Sequence, residues 1–210
     1  MSFTNDKCGD SIRVLHPLFQ VGDGGSIPTS PLQLDVVSIS NKRAAKLNAL
    51  WHSSMPLISS WAVCKPCFVA VYQNRIYAVA MWSYPIAANR IKNGEYMLEL
   101  RRLAIAEDAP RNTASRMLSV MTKLIKRDMP QVFQLISYQD TEHHHGTIYK
   151  ASGWEANGPT EYISWGLHSQ RPGRIEQSKA PKIRWHKSIR KLCVTEEQAK
   201  TQAQQLCLGG

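Results

Sequence analysis

The stretch LELRRLAIAEDAPRNTASRML, Leu98 to Leu118, contains the change of period on which the fold turns. Its first half alternates. Leu98, Leu100 and Arg102 fall on one side of an extended chain and Glu99, Arg101 and Leu103 on the other, which predicts a strand over Tyr96–Ala106. Pro110 follows, and from there apolar residues recur at helical spacing: Ala114, Leu118, Met121 and Ile125. Asn112 or Thr113 is placed to cap this helix, and Lys123, Lys126 and Arg127 sit near its end, where the helix dipole favours cations. A helix that opens on small polar residues after a loop bearing Arg111 exposes backbone N–H groups with no intrahelical partner. Such an end suits a phosphate. It equally suits a capped helix facing solvent.

Working outward, the first thirty or so residues, with GDGGSIPTSPLQ at Gly22–Gln33, are dense in Gly, Ser and Pro and read as a flexible lead-in, 1–31. LQLDVVSIS is a short β-branched strand. Ser40 or Asn41 then caps KRAAKLNALW, whose Ala44, Leu47, Leu50 and Trp51 share one helical stripe. FVAVYQ and IYAVAMW, separated by Asn74 and Arg75, read as a hairpin. After the Leu98–Leu118 stretch and its helix come a strand in VFQLISY, a short helix in GTIYKASGW stopped by Gly153, and a last strand in TEYISWGL. The order implies an α/β (α+β) domain over 32–168, with one mixed sheet and helices on both faces. From 169 to 210 a basic extension and a Gln-rich tail follow.

A chain of 210 residues with 43% hydrophobic content supports one core. Its apolar runs, such as Ile76–Trp82, fall well short of the roughly 20 residues a membrane span needs. The start, MSFTNDKCGDSIRV, lacks the basic-then-apolar pattern of a secretory signal, so the cytoplasm is the expected location. Five cysteines, an odd number, argue against a disulfide framework there. Cys64 and Cys67 form a C-x-x-C pair, but no second pair or H-x-x-x-H accompanies it, so small buried thiols are the simpler reading. A formal charge of +10 points to a polyanionic partner or substrate.

A second informative stretch is SYQDTEHHHGTIYKASGW, Ser137–Trp154. Asp140 stands just past a strand, where it is able either to accept a proton and orient an amine or to cap the next turn. His143, His144 and His145 are consecutive, so they cannot all converge on one ion.

Taken together, these passages resemble the GNAT acyltransferase superfamily. In that superfamily a strand like Tyr96–Ala106 leads to a loop and helix start that hold the pyrophosphate of coenzyme A, and a later short helix contributes a Tyr. The superfamily loop has the form Q/R-x-x-G-x-G/A; here it is RNTASR from Arg111, with Ala114 and Arg116 at the positions where small residues are usual. More narrowly, LWHSSMP, LELRRLAIAEDAPRNTASR, SYQDTEHHHGTIYKASGW and the late KIRWHK resemble the Mom family of bacteriophage DNA-modification proteins, a divergent GNAT branch. The resemblance implies transfer of a carbamoylmethyl (acetamido) group to the exocyclic amine of adenine in double-stranded DNA, which protects phage DNA from host restriction. The adenine would have to be flipped out or already unpaired.

The resemblance also implies roles. Tyr149 would protonate a leaving thiolate or bind substrate, with Asp140, His52 and Glu99 as further catalytic candidates. Arg101, Leu103, Ala104, Ile105, Arg111, Asn112, Thr113, Ala114 and Ser115 would hold the donor: acetyl-CoA, or another acyl or aminoacyl donor, since the added group contains nitrogen that acetyl lacks. A metal ion, Fe or Zn, held by His52 and Asp140 with one of the three histidines, is a further expectation. In the basic extension, Lys182, Arg184, Trp185, Lys187, Arg190 and Lys191 combine cations with an aromatic, a composition suited to phosphate contacts and base stacking. A dimer is compatible with all of this. Two other readings stay open: a GNAT enzyme acetylating a protein or small-molecule amine, and a basic, non-enzymatic DNA-binding protein.

Overall fold

A computed structural model describes residues 27–53, 55–57, 64–85, 97–160 and 181–190. Seven strands form one mixed sheet: β1 (Asp35–Ser38), β2 (Cys67–Tyr72), β3 (Arg75–Ser83), β4 (Met97–Ile105), β5 (Gln134–Asp140), β6 (Glu155–Thr160) and β7 (Lys182–Ser188), in the order β1-β2-β3-β4-β5-β7-β6. Among the described residues three α-helices accompany them, α1 (Asn41–Trp51), α2 (Thr113–Asp128) and α3 (Thr147–Ala151), with a 3-10 turn at Pro31–Gln33. The expected α/β class with one mixed sheet is therefore observed. Among the described residues no helix is long and apolar enough to cross a membrane.

The chain divides into two compact units. The first holds β1–β3, α1, β4 from Leu100 and α2 as far as Lys123. Here β1, β2 and β3 run antiparallel, and Tyr72 pairs with Arg75. The hairpin turn therefore falls on Gln73 and Asn74, one residue earlier than the sequence suggests. Both have positive φ, 44° and 66°, as the twist of a two-residue hairpin loop requires.

Strand alternation on β3 sets the two faces of this unit. Val79 and Met81 cluster with Ala44 of α1, together with Val69, Cys64, Cys67 and Ala104. Trp82 points the other way, and its indole N–H donates to the Met121 sulfur of α2 at 3.3 Å. The helices thus cover opposite faces, as expected. On α1 the buried stripe is Ala44 and Asn48, flanked by Leu47 and Trp51, whereas Leu50 is 75% exposed. The stripe expected from the apolar residues alone is therefore rotated, because the buried Asn48 amide ties down the turn that follows.

The C-x-x-C pair lies in this core. Cys64 and Cys67 are both buried, and the Cys67 thiol donates to the Cys64 carbonyl at 3.1 Å. Burial, reinforced by Cys64, pushes the Cys67 thiol up from 9.0 to about 12. It is a packed, protonated thiol. Native Cys67 is accordingly expected to resist alkylation by iodoacetamide at about pH 8 and to react once unfolded, as peptide mass spectrometry would show. Because the folded pKa is raised, its share of the stability is complete below pH 9 and is lost as pH rises towards 12.

The second unit holds the start of β4, the end of α2, and β5, β6, β7 and α3. Its centre is β7, which pairs antiparallel with β5 without interruption from Gln134↔Ser188 to Asp140↔Lys182. The segment read from sequence as basic extension thus supplies an interior strand. On its other side β7 pairs with β6, where a bulge between Ala156 and Pro159 and a left-handed Gly158 (φ 71°) interrupt the ladder. Pro159 is tolerated because β6 is an edge strand. The strand expected in TEYISWGL lies, beyond Thr160, outside the described residues, as do the lead-in to residue 26 and Lys191.

Candidate active site

In the first unit, β4 ends beside a loop with its own supports. Arg75 pairs with Asp108 and sits over the Tyr77 ring, 5.1 Å from its centroid, and the Ala106 N–H donates to the Tyr77 carbonyl at 2.8 Å. Asn112, at φ 65°, turns the chain into α2. The Thr113 hydroxyl donates to the Pro110 carbonyl at 2.6 Å and the Ser115 hydroxyl to the Asn112 carbonyl at 3.0 Å. Both hydroxyls are engaged in building the turn, as are the Thr113 and Arg116 N–H groups, which donate to the Pro110 and Asn112 carbonyls, so the Ala114 N–H is the first-turn donor an incoming anion would meet. Arg111 is exposed. Arg116 has a buried Nε with no hydrogen-bond partner, an orphaned donor in the first turn of α2. These groups fit an anionic donor such as an acyl-CoA pyrophosphate.

The other expected donor residues lie along β4. Ala104 is 3% exposed and belongs to the core, so its side chain is unavailable. Arg101 donates to the Ser83 hydroxyl at 3.3 Å; Leu103 and Ile105 are half-buried on β4. His52 ends α1, and its Nδ1 accepts the Met55 N–H at 3.2 Å. That nitrogen is not free for a metal, and in the neutral ring the proton lies on Nε2. Glu99, in the second unit, is buried on β4.

In the second unit, Tyr149 is 7% exposed. Its ring stacks on Trp185 of β7, with centroids 5.2 Å apart and planes at 15°, and meets Trp154 edge-on at 5.7 Å. Its hydroxyl is 2.8 Å from that of Ser137 on β5. Burial raises the phenol above its ordinary value, against the opposing pull of the Ser137 hydrogen bond, so it stays protonated at neutral pH. The Trp185 N–H donates to Gln139 Oε1 at 2.8 Å, and Gln139 Nε2 donates to the His144 carbonyl. Gly146 (φ 71°) permits this packing: a Cβ there would lie 2.5 Å from Gln139 Oε1 and 2.6 Å from Trp185 Cζ2. Sequence reasoning missed Ser137 and Gln139. Their signal was two polar residues in step with Leu135 along VFQLISYQ.

Asp140 is one residue beyond Gln139, so alternation sends it to the face opposite Tyr149. Its Oδ1 accepts the Glu142 N–H at 3.0 Å, and its carbonyl accepts the His144 N–H at 3.0 Å. Among the described residues, Asp140, Glu142 and His143 bring ligand atoms within 4.8 Å of one another. Glu142 and the three histidines are exposed, and this grouping differs from the expected His52–Asp140 pair.

The expected DNA contacts are also redistributed. Trp185 is 3% exposed and stacks within the protein, so it is not a base-stacking platform. Lys187 donates to the Ser152 and Gly153 carbonyls at the end of α3, and Arg190 to those of Lys126, Met129 and Val132 at the end of α2. These cations cap helix ends. Lys182 and Arg184 are half-buried and lie across from Asp140 and Tyr138 on the opposite face.

Comparison with known proteins places this architecture. The chain is similar to an acetyltransferase from Bacillus subtilis in complex with CoA (10% identity, 74% of this chain and 98% of that one, TM-score 0.52). It is also similar to a putative acetyltransferase from Salmonella typhimurium with acetyl-CoA (8%, 77% and 97%, 0.53) and to ribosomal-protein-alanine N-acetyltransferase from Brucella melitensis (13%, 74% and 99%, 0.51). At these identities the likeness establishes the GNAT fold. No curated protein sequence matches the chain. The model of the Mom protein family matches residues 33–206, taking in β1 to β7, and the chain therefore belongs to the Mom protein family.

Proposed function

We propose that this protein transfers a carbamoylmethyl group from an acyl-type donor to the exocyclic amine of adenine in DNA, protecting phage DNA from restriction. The Mom family match along residues 33–206 carries this reading, and the GNAT fold supports acyl transfer as its chemical class. When bound, the donor would supply a two-carbon unit whose methylene carbon carries the leaving group, because a carbamoylmethyl group is joined to nitrogen through that methylene. The Arg111 and Arg116 side chains and the Ala114 N–H of α2 would hold its phosphates.

Tyr149 serves as proton donor, because burial keeps its phenol protonated. Adenine's amine is a weak nucleophile, its lone pair being delocalised into the ring, so it must be oriented and lose a proton. Glu99, in the same unit as Tyr149, is the candidate to receive that proton, since Asp140 faces away from Tyr149 and His52 has its Nδ1 occupied and its proton on Nε2. Lys182 and Arg184 supply phosphate contacts, with Lys191 completing the expected set. Replacing both Lys182 and Arg184 with Ala is expected to reduce the slope of duplex affinity against salt by about two phosphate contacts.

Restriction protection tests the reading in cells. Plasmid DNA from cells expressing the protein is expected to resist enzymes that cut at adenine-containing sites. Digestion as complete as that of DNA from non-expressing cells would overturn it.

A further inference from the structure

Ser137 and Tyr149 are among the most enclosed polar side chains of the second unit, 2% and 7% exposed, and their hydroxyl oxygens lie 2.8 Å apart. Neither hydroxyl has another hydrogen-bond partner among the described residues. Two hydroxyls carry two hydrogens, and one O–H···O contact uses only one. The pair therefore holds a spare buried donor, an unfavourable arrangement unless something accepts from it.

Two arrangements satisfy the contact. With Tyr149 donating to Ser137, the spare hydrogen belongs to Ser137 and the phenol is spent. With Ser137 donating to Tyr149, the phenol hydrogen is free and its oxygen is already held by a donor. Trp185 stacked on the ring and Trp154 at its edge fix the ring plane, so this choice sets where the phenol hydrogen can point.

We infer that Ser137 is a positioning residue of the site: its hydroxyl donates to Tyr149 Oη and thereby presents the phenol hydrogen to the leaving thiolate, or equivalent anionic leaving atom, of the acyl donor. The inference rests on Tyr149 as proton donor. The Tyr149 O–H bond breaks, the proton goes to the leaving atom, and the electron pair stays on Oη, where the Ser137 O–H holds the charge. The proton lost by the substrate amine, passed on from the acceptor that removes it, restores the phenol. A charge-assisted bond of this kind is about twice as strong as the neutral one, so the Ser137 contribution grows as the proton leaves.

The test uses the full-length protein, the variants Ser137→Ala, Ser137→Thr, Ser137→Val and Tyr149→Phe, and each Ser137 variant combined with Tyr149→Phe. Two quantities are read: the rate at which modified adenine accumulates in plasmid DNA after induction, and the ionisation of Tyr149 in purified protein. The second is isolated by subtracting the alkaline absorbance titration of the matching Tyr149→Phe protein. Ser137→Ala and Ser137→Val are expected to lower the rate about tenfold, with Thr restoring it to within about threefold, and loss of the hydroxyl is expected to delay Tyr149 ionisation by about one pH unit.

If Ser137→Val matches Ser137→Thr in rate, or if the Tyr149 titrations with and without the Ser137 hydroxyl superimpose, the inference is wrong even though the enzyme works. If wild-type protein leaves DNA unmodified while the titrations still differ, the proposed reaction fails and the hydroxyl pairing stands.

Discussion

Replacing Tyr149 with Phe is expected to cut the rate of adenine modification by at least about 100-fold while leaving the fold intact. Phe keeps the ring that stacks on Trp185 and meets Trp154 edge-on and deletes only the hydroxyl facing Ser137. Two effects follow. Removing the hydroxyl eliminates the sole proton donor assigned to the leaving group, a loss of the size general acid catalysis supplies. It also leaves the buried Ser137 hydroxyl without its partner, a stability cost of about 1–3 kcal/mol. The combination is diagnostic: an unfolding midpoint lowered by only a few degrees, with little modified adenine. A large fall in the midpoint would mean instead that the hydroxyl is chiefly structural.

The second large effect is on stability. Trp185→Ala is expected to cost about 3–5 kcal/mol, the range for deleting a buried large aromatic, and to lower the midpoint by on the order of 10 °C. The indole fills the space between β7 and α3, stacks on Tyr149 and donates to Gln139 Oε1, which would be left as a buried acceptor without a partner. Trp185→Phe should lose much less, because the ring stack survives and only the N–H is removed. Equal losses for Ala and Phe would show that the hydrogen bond to Gln139 outweighs the packing. An unchanged midpoint for Trp185→Ala would contradict the placement of β7 inside the sheet, and DNA affinity that fell with no loss of stability would return Trp185 to the surface.

The contrast between β4 and β7 shows what the sequence makes visible. β4 and α2 were legible because the apolar period changes from two to 3.6 within Leu98–Leu118, and Pro110 marks the junction. β7 has the same alternation, with Ile183 and Trp185 facing one way and Lys182, Arg184 and His186 the other, but its cations make KIRWHKS read as a charged tail. Only a partner strand tells an aromatic among lysines that stacks on a base from one that stacks on a tyrosine. β6 was hidden for a different reason. Gly158 and Pro159 are poor strand formers, accepted because β6 is at an edge and bulged.

At the candidate site, Tyr149 was legible through its family string, but its neighbours were not. Ser137 and Gln139 become meaningful only when β5 alternation turns them towards the α3 face, and the same alternation turns Asp140 away. A shift of one residue along a strand exchanges faces, so closeness in sequence was a poor guide to which side chains share a site. The N-terminal turn of α2 had the opposite character. Its local pattern fixed the conformation of RNTASR, while the orphaned Nε of Arg116 required coordinates to find.

The most direct measurement is mass spectrometry of nucleosides from plasmid DNA made in cells expressing wild-type protein or Tyr149→Phe. The expected result is a deoxyadenosine derivative carrying one carbamoylmethyl group on its exocyclic nitrogen in the wild-type sample, and at most a trace with Tyr149→Phe at equal protein levels. Unmodified deoxyadenosine from cells holding abundant, folded wild-type protein, or full modification by Tyr149→Phe, would contradict it.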